Sequence, residues 1–591
     1  MKRNKLGLLV FPALLSLGLL TGCGKDGGNK KGEDKYGFIP ESVLNFKGDV
    51  DVILYIEGQN GTFNDIGSSK VVAQDLFDGY LARFAAGARE FKKIAPNIRV
   101  NVTYCSIADY NNVVIDYQNR KGHLPHIMHG TEHVNEMMQL GYSADLTEYK
   151  DSELYKSFDE SIMAEFNFGG FQGAVPYMIY PMGVFVNTSL LARRYQNYED
   201  LLENYTLENF TEVCESVADF NNNIAAMPHI TGDFVSYAAP TINKSYKFDR
   251  TIDVTTSLVE DLISLEKRLA DTTGYVYHPD NNNSPRTGML EIAPWFTNRN
   301  FIEDERFVFN AEMPWNLGLL SLMAEEVGKT ADFDYMPWPA ADEDTQNTVG
   351  MIAEGLTIGN QCPVDATTGK KVCTTAQKTA QDAAAYFAMF LSADPRALDA
   401  RSKVEWYNTS EGGKMTGILD LPMTKKDFVF SFEKVDENGE EIDVDTIEPY
   451  FYKQLRNWFK CYNTWWNSAE AEEGEEPDVY EYSNIKPGFK WVLEIFYGED
   501  ETNRINFYGV PDNLPDPDVP GATKDVMGPW NSRYVLDSGK VRLTDLTWVD
   551  NLKSKLTTIQ EEITQRLTDV WIYFQSCLDE YYGEGTYNVL E

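Results

Sequence analysis

Residues 49–58 read DVDVILYIEG, and the run from Val52 to Ile56 is unbroken apolar chain. A short continuous run of this kind marks a strand buried on both faces. The polar, Gly-containing segment EGQNGTFNDIGSS (57–69) follows as a loop. Val72, Leu76, Tyr80, Phe84 and Phe91 then recur near helical spacing, which predicts a helix over roughly 71–94. Pro96 stops that helix, and the β-branched stretch from Ile98 to Tyr104 reads as a second strand. Strand, helix and strand in this order form a βαβ unit, whose parallel strands imply an open α/β sheet.

The next unit carries unusual chemistry. GHLPHIMHGTEHVNEMMQLG (122–141) holds His123, His126, His129 and His133, four of the six histidines in the chain. Their spacing resembles a metal-ligand set. Pro125 forbids a helix through the segment, so His126–His129 is expected as a short strand. Gly130 and Thr131 turn the chain, and a helix begins at Glu132 with Val134, Met137, Met138 and Leu140 inward and Gly141 as terminator. Strand and helix side chains diverge, so four imidazoles do not readily converge on one tetrahedral ion, and no metal site is expected. His129–Glu132 fall instead at the carboxyl end of a strand, where α/β sheets bind ligands.

The amino terminus is a targeting segment. Lys2, Arg3 and Lys5 precede a largely apolar stretch from Leu6 to Leu20, too short to cross a bilayer and suited to a signal peptide. Leu20-Thr21-Gly22-Cys23 matches the bacterial lipobox, which implies cleavage before Cys23 and lipid on its sulfur. GKDGGNKKGEDKY (24–36) has almost nothing apolar and is expected as a flexible tether. The chain carries 91 acidic and 52 basic residues, a formal net charge of −39. That excess excludes nucleic acid as a partner and disfavours anionic ligands. Cys362 and Cys373 flank PVDATTGKKV and can pair outside the cell, whereas Cys105, Cys214, Cys461 and Cys577 lie in apolar or helical contexts and are expected buried.

Further on, the apolar stretch around 176–187 leads into a helix, and Thr206 caps another with Phe210, Val213, Val217 and Phe220 inward. TVGMIAEGLTIGN (348–360) is a Gly-punctuated strand, and TAQKTAQDAAAYFAMFLSAD (375–394) an Ala-rich helix. Leu556, Ile559, Ile563, Leu567, Phe574 and Leu578 mark a long terminal amphipathic helix. Residues 433–530 differ: acidic loops flank the aromatic block PYFYKQLRNWFKCYNTWWN, in which Trp458, Trp465 and Trp466 read as core. The run from Asp436 misplaces the glycine of a calcium-binding hand and reads as a solvated loop.

Taken in order, these pieces resemble the extracellular solute-binding proteins of family 1, the maltose-binding-protein-like receptors of ABC sugar importers. The resemblance runs through EFKKIAPNIRVNVTY (90–104), GHLPHIMHGTEHVNEMMQLGYSADLTEY (122–149), AVPYMIYPMGVFVNTSLL (174–191) and YTLENFTEV (205–213). It continues through EMPWNL (312–317), FDYMPWPAADEDTQNTVGMIAEGLTIGN (333–360) and GILDLPMTKK (417–426), covering roughly 48–425 and the last helix. The segment RFVFNAEM departs from the family pattern, and 433–530 has no counterpart.

The resemblance implies an α/β, two-lobe periplasmic-binding-protein-like (type II) fold with crossing hinge strands, plus an acidic and aromatic insertion in the C-terminal part. The expected layout is a lipoprotein signal peptide over 1–22 and a tether over 23–47. Lobe 1 would comprise 48–178 and 351–415, and lobe 2 179–350 and 416–591, with the insertion at about 433–530. Crossings are expected near Pro176–Asn187 and Thr348–Gly359. Carried over by position, Glu57, Gln59 and Asn60 hold sugar hydroxyls, with Thr131, Glu132 and His133 in a second polar loop beside His129. Tyr180 sits on the first crossing, and Trp315 stacks on a sugar ring. Sugars suit such a set, because they pair flat C–H faces with a rim of hydroxyls.

The resemblance thus implies a monomeric, extracytoplasmic receptor without cofactor, held to the bacterial cell membrane only by its lipid. It would pass a carbohydrate, an oligosaccharide by expectation, to ABC permease subunits and carry out no chemistry. Two rival readings are a surface carbohydrate-active enzyme, which needs paired carboxylates across a cleft, and a metal-binding receptor built on the His123–His133 cluster.

Overall fold

The computed structural model describes residues 34–56, 59–72, 75–130, 133–195, 198–219, 307–312, 333–365, 370–408, 413–416, 421–436, 439–461, 486–498, 504–506, 513–515, 523–525 and 548–590, with a few single positions between them. The first unit runs β1 (Gly48–Tyr55), α1 (Gly79–Ile94) and β2 (Ile98–Cys105). β1 and β2 pair in parallel over their whole length, from Gly48 opposite Ile98 to Tyr55 opposite Cys105. The helix begins later than its spacing suggests. Asp78 accepts from the amides of Tyr80 and Leu81 and caps it there, so Val72 lies in an exposed turn and Leu76 is buried ahead of the helix.

β3 (Ile127–Gly130) and α2 (His133–Gln139) follow. Val134, Met137 and Met138 are buried as expected, but Leu140 is exposed, because the chain leaves the helix before reaching Gly141, whose φ is 71°. Next come β4 (Val175–Asn187), α3 (Leu207–Val217), β5 (Phe309–Glu312), β6 (Phe333–Met336) and β7 (Val349–Ile358). Every residue of β4 and β7 is buried, which is why neither stretch alternates. Along the main path of the nine-stranded sheet the order is Gly61–Phe63, β2, β1, β3, β7, β4, β5, and β6 pairs β4. β7 runs antiparallel to both β3 and β4.

Among the described residues the sheet serves two large cores and a smaller cluster in which Ile53 of β1, Cys105 of β2 and Met128 of β3 meet Tyr110, Val114, Tyr117 and Met137. The first gathers β1–β3, the first half of β4 and most of β7 under α1 and the helices α4 (Thr375–Ala393) and α5 (Pro395–Ser402). The second gathers Val184 and Val186 of β4 with α3, Phe309, Met336 and Trp338. β4 passes between them at Gly183, where an added Cβ would lie 2.3 Å from the carbonyl oxygen of Met336. Glycine is required there for close approach of the strands. The closing helix of the chain, Trp548–Tyr582, touches both cores: Leu556–Val570 join the second, and Phe574–Tyr582 the first. None of the described helices is long and apolar enough to cross a membrane.

Two expectations change. The tether assigned to 23–47 gives way to packed chain by Asp34, because Phe38, Ile39 and Val43 are apolar enough to be buried in the first core. The segment at 433–530 is woven into the body where it is described. The helix α6 (Pro487–Phe496) buries Phe489, Val492, Leu493 and Phe496 in the first core. The strand β8 (Arg504–Asn506) pairs in parallel with β7. Asp334 of β6 fastens α6, accepting from the amides of Gly488 (2.8 Å) and Phe489 (3.1 Å) and from the Tyr198 hydroxyl (2.6 Å). The loop from Asp436 is exposed where it is described and turns at Gly439, as a solvated loop should. Cys362 and Cys373 form a disulfide, and Cys105, Cys214 and Cys577 are free and buried. The side chains of Trp458 and Cys461, and the whole of Phe220, Trp465 and Trp466, lie outside what is described.

Candidate functional site

The carboxyl ends of β1 and β3 lie beside the middle of β7, which is antiparallel to them and flanked by β4. α1 starts at the same level, and its Asp78 cap places Tyr80 in the first turn, against the crossing strands. There Tyr80 Oη donates to Glu354 Oε1 on β7 at 2.6 Å and lies 3.1 Å from the hydroxyl of Tyr180 on β4. The second Glu354 oxygen is 2.9 Å from His129 Nε2, at the end of β3. Tyr80 and His129 thus meet on the Glu354 carboxylate, and Tyr180 joins the network through the Tyr80 hydroxyl. Glu354 is 3% exposed, His129 1% and Tyr180 fully buried.

The hydrogen-bond inventory follows from this geometry. A carboxylate only accepts, so His129 Nε2 carries a proton toward Glu354. Nδ1 is buried and has no hydrogen-bond partner among the described residues. Burial first, then the charge of Glu354, holds the Tyr80 phenol well above its ordinary pKa, so it stays a donor. Burial likewise raises the Asp78 carboxyl, against the two helix amides and Arg83 that oppose the shift. Below the network, Tyr177 meets the His129 ring edge-on at 5.6 Å, and the Arg401 guanidinium stands 4.6 Å over the Tyr177 ring.

Of the residues expected to bind ligand, His129 and Tyr180 are joined through Tyr80 and Glu354. Gln59 and Asn60 are exposed just past the end of β1. Asn60 is tied to the following loop, donating to Asp109 at 3.2 Å and accepting from the Ser106 amide at 3.1 Å. Glu57, Thr131, Glu132, Trp315, the side chain of His133 and the lipobox Cys23 lie outside the described residues. Tyr80 and Glu354 were not anticipated. Glu354 had a legible signal, a single acid inside the otherwise apolar strand GMIAEGLTIG, since a charge in such a strand must find partners.

The histidines divide between the two ends of β3. His126 lies at its amino end, where its Nδ1 accepts from the Asp51 amide at 3.0 Å, and the His123 ring is 5.2 Å away. His129 is at the other end. Among the described residues no group of three or more His, Cys, Asp or Glu is placed to hold a metal ion. The carboxylates at the site are already engaged, Asp78 by the helix cap and Glu354 by Tyr80 and His129.

No protein-family model matches the chain, and no curated protein does. Among solved structures, an ABC substrate-binding protein from Listeria monocytogenes in complex with cycloalternan is similar at 14% identity, with 88% of this chain and 100% of that one covered and a TM-score of 0.50. An extracellular solute-binding protein from Staphylococcus aureus in complex with maltose has 12% identity, covers 88% and 98%, and has a TM-score of 0.47. A receptor of Streptomyces glaucescens, solved unliganded and with acarbose, has 11% identity, covers 91% and 100%, and has a TM-score of 0.46. The chain has the two-lobe α/β fold of the ABC substrate-binding proteins, the architecture its ordered motifs implied.

Proposed function

We propose that the chain is a lipid-anchored, extracytoplasmic receptor that captures a carbohydrate between two lobes and delivers it to an ABC permease. The observation that carries this reading is the two-lobe α/β fold, in which the network of His129, Tyr80, Tyr180 and Glu354 ties the crossing strands to the end of β3 and the start of α1. The network lies at the carboxyl ends of parallel strands, where α/β folds take their ligands. Being buried, it fixes the crossing strands against β3 and α1, while the exposed amides of Gln59 and Asn60 just past the end of β1 suit the hydroxyl rim of a sugar. The fold is shared with a protein solved with cycloalternan, which favours an oligosaccharide. On this reading the protein is a monomer without catalytic activity. Lobe 1 comprises the body up to 178 and 351–415, and lobe 2 comprises 179–350 and 416–591. Cys23 carries the lipid, and Glu57, Gln59, Asn60, Thr131, Glu132, His133 and Trp315 complete the cleft.

The test is thermal unfolding of the protein lacking residues 1–23 against mono- and oligosaccharides, with zinc and EDTA in parallel. Ligand at about 100 times its dissociation constant adds about 2.7 kcal/mol, a rise of roughly a few degrees or less for so large a chain. A rise confined to particular oligosaccharides is the expected outcome. A rise with zinc alone, reversed by EDTA, would replace the carbohydrate reading with the metal-binding one.

A further inference from the structure

We infer that the packed N-terminal strap decides which face of the receptor lies against the membrane, and that this is the face at the junction of α4 and α5. The inference rests on lipid attachment at Cys23, as proposed above. The first described residue is Asp34, whose carboxylate accepts from the Ile39 amide at 2.9 Å and from Arg396 Nη1 at 2.7 Å. Arg396 also grips Asp394 in a fork, through Nε at 2.9 Å and Nη2 at 2.7 Å, and Asp394 caps α5. Such bidentate arginine pairs are both strong and directional. The Tyr36 ring stacks on Phe432 with centroids 3.9 Å apart and an interplanar angle of 13°, and the Arg396 guanidinium covers it at 4.4 Å. Phe38, Ile39 and Val43 then enter the first core.

The consequence is geometric. From Cys23 to Asp34 is about eleven residues, which reach at most about 40 Å when fully extended. A body of about 560 residues has a radius of gyration of about 24 Å, hence an equivalent sphere of radius about 31 Å. To bring its far pole to the bilayer, the chain would have to follow about 100 Å of surface, half the circumference of that sphere. The available length falls well short. Were the chain free up to Gly48, its reach would be about 90 Å and nearly every orientation would be open. Docking of Asp34–Leu44 therefore converts a long leash into a short one that leaves the body beside α5. The partner of this face is the lipid headgroup surface to which Cys23 is joined.

The test uses the full chain, expressed in a bacterium, extracted from its membranes and reconstituted into phosphatidylcholine–phosphatidylglycerol vesicles with a trace of headgroup-labelled acceptor lipid. The donor dye is placed either at Asp399, exposed on α5, or at Glu343, exposed beyond Trp338 of the second core. Energy transfer from position 399 should exceed that from 343 several-fold. A Gly/Ser spacer of about fourteen residues between Glu33 and Asp34, restoring the reach of the free chain, should remove most of that difference while leaving the melting temperature unchanged. Arg396→Gln should weaken the difference in the same direction. Equal transfer from the two positions, or a difference that survives the spacer, overturns the face assignment alone. A mass spectrum showing no lipid on Cys23 overturns the anchoring and the inference together.

Discussion

At the scale of single residues, two buried groups invite measurement, Glu354 on β7 and His126 at the amino end of β3. Glu354 is the acceptor for both Tyr80 and His129, and its removal takes that acceptor from two donors at once. Glu354→Ala should cost about 2–4 kcal/mol in urea unfolding, and Glu354→Gln, which keeps an acceptor, about half of that. A loss under about 0.5 kcal/mol, the level of an ordinary surface change, would mean that the network is not formed as described. His126 is the second. Its Nδ1 accepts from the Asp51 amide, and burial pushes its pKa from 6.5 down to about 4 against the pull of Asp51. The folded value is below the unfolded one, so the unfolded state takes up the proton first as the solution acidifies. The stability this group supports is intact above the unfolded value and is lost as pH falls toward the folded one. Between about pH 7 and pH 5 the loss should be of order 2 kcal/mol, and His126→Gln should flatten that part of the profile.

At the scale of elements, β7 and α6 show how remote sequence completes the sheet. β7 pairs with β3 and β4 and also takes up β8, more than 140 residues later in the chain. α6 is held by Asp334, which also accepts from its neighbour's amide, Tyr335 N, at 2.7 Å. Burial raises the Asp334 carboxyl, and the Tyr198 hydroxyl and the amides of Tyr335 and Gly488 counter that rise. Asp334→Ala strands several buried donors at once and should cost about 3–5 kcal/mol. Hydrogen exchange should then rise first in residues 487–496, and uniform loosening of the whole protein would contradict this assignment of the cap. The helices themselves were legible. Thr206 caps α3 through the Asn209 amide, and Thr374 with Gln377 forms a capping box at the head of α4. The start of α1 is not legible, because Val72 and Leu76 fall into helical spacing by chance while Asp78 supplies the cap.

At the scale of the molecule, the two large cores share one sheet, and the Trp548–Tyr582 helix packs against both. Its hydrophobic repeat was readable along the whole length, but the change of partner between Val570 and Phe574 leaves no mark on a repeat that stays helical throughout. The net charge of −39 acts on the whole body as self-repulsion. Raising salt from about 0.02 M to about 0.5 M shortens the screening length from roughly 20 Å to roughly 4 Å and should raise the melting temperature by roughly 1–3 °C. A fall with salt would show that specific ion pairs, such as Arg396 with Asp34 and Asp394, outweigh the repulsion.

The chain alone determined the strands, the helices and their order, because burial on both faces, capping and turn formation leave local marks at Val52–Ile56, Thr206 and Gly141. It also placed His129 at the end of a strand and Tyr180 on a crossing strand, through motif order. Tertiary structure decided the rest. Tyr80, His129, Tyr180 and Glu354 are separated by up to 274 positions, and only the register of β3, β4 and β7 brings them within hydrogen-bond reach. The reversal for residues 34–47 has the same cause: polar, Gly-rich composition leads up to Asp34, and only the face containing Arg396 and Phe432 gives that chain something to pack against.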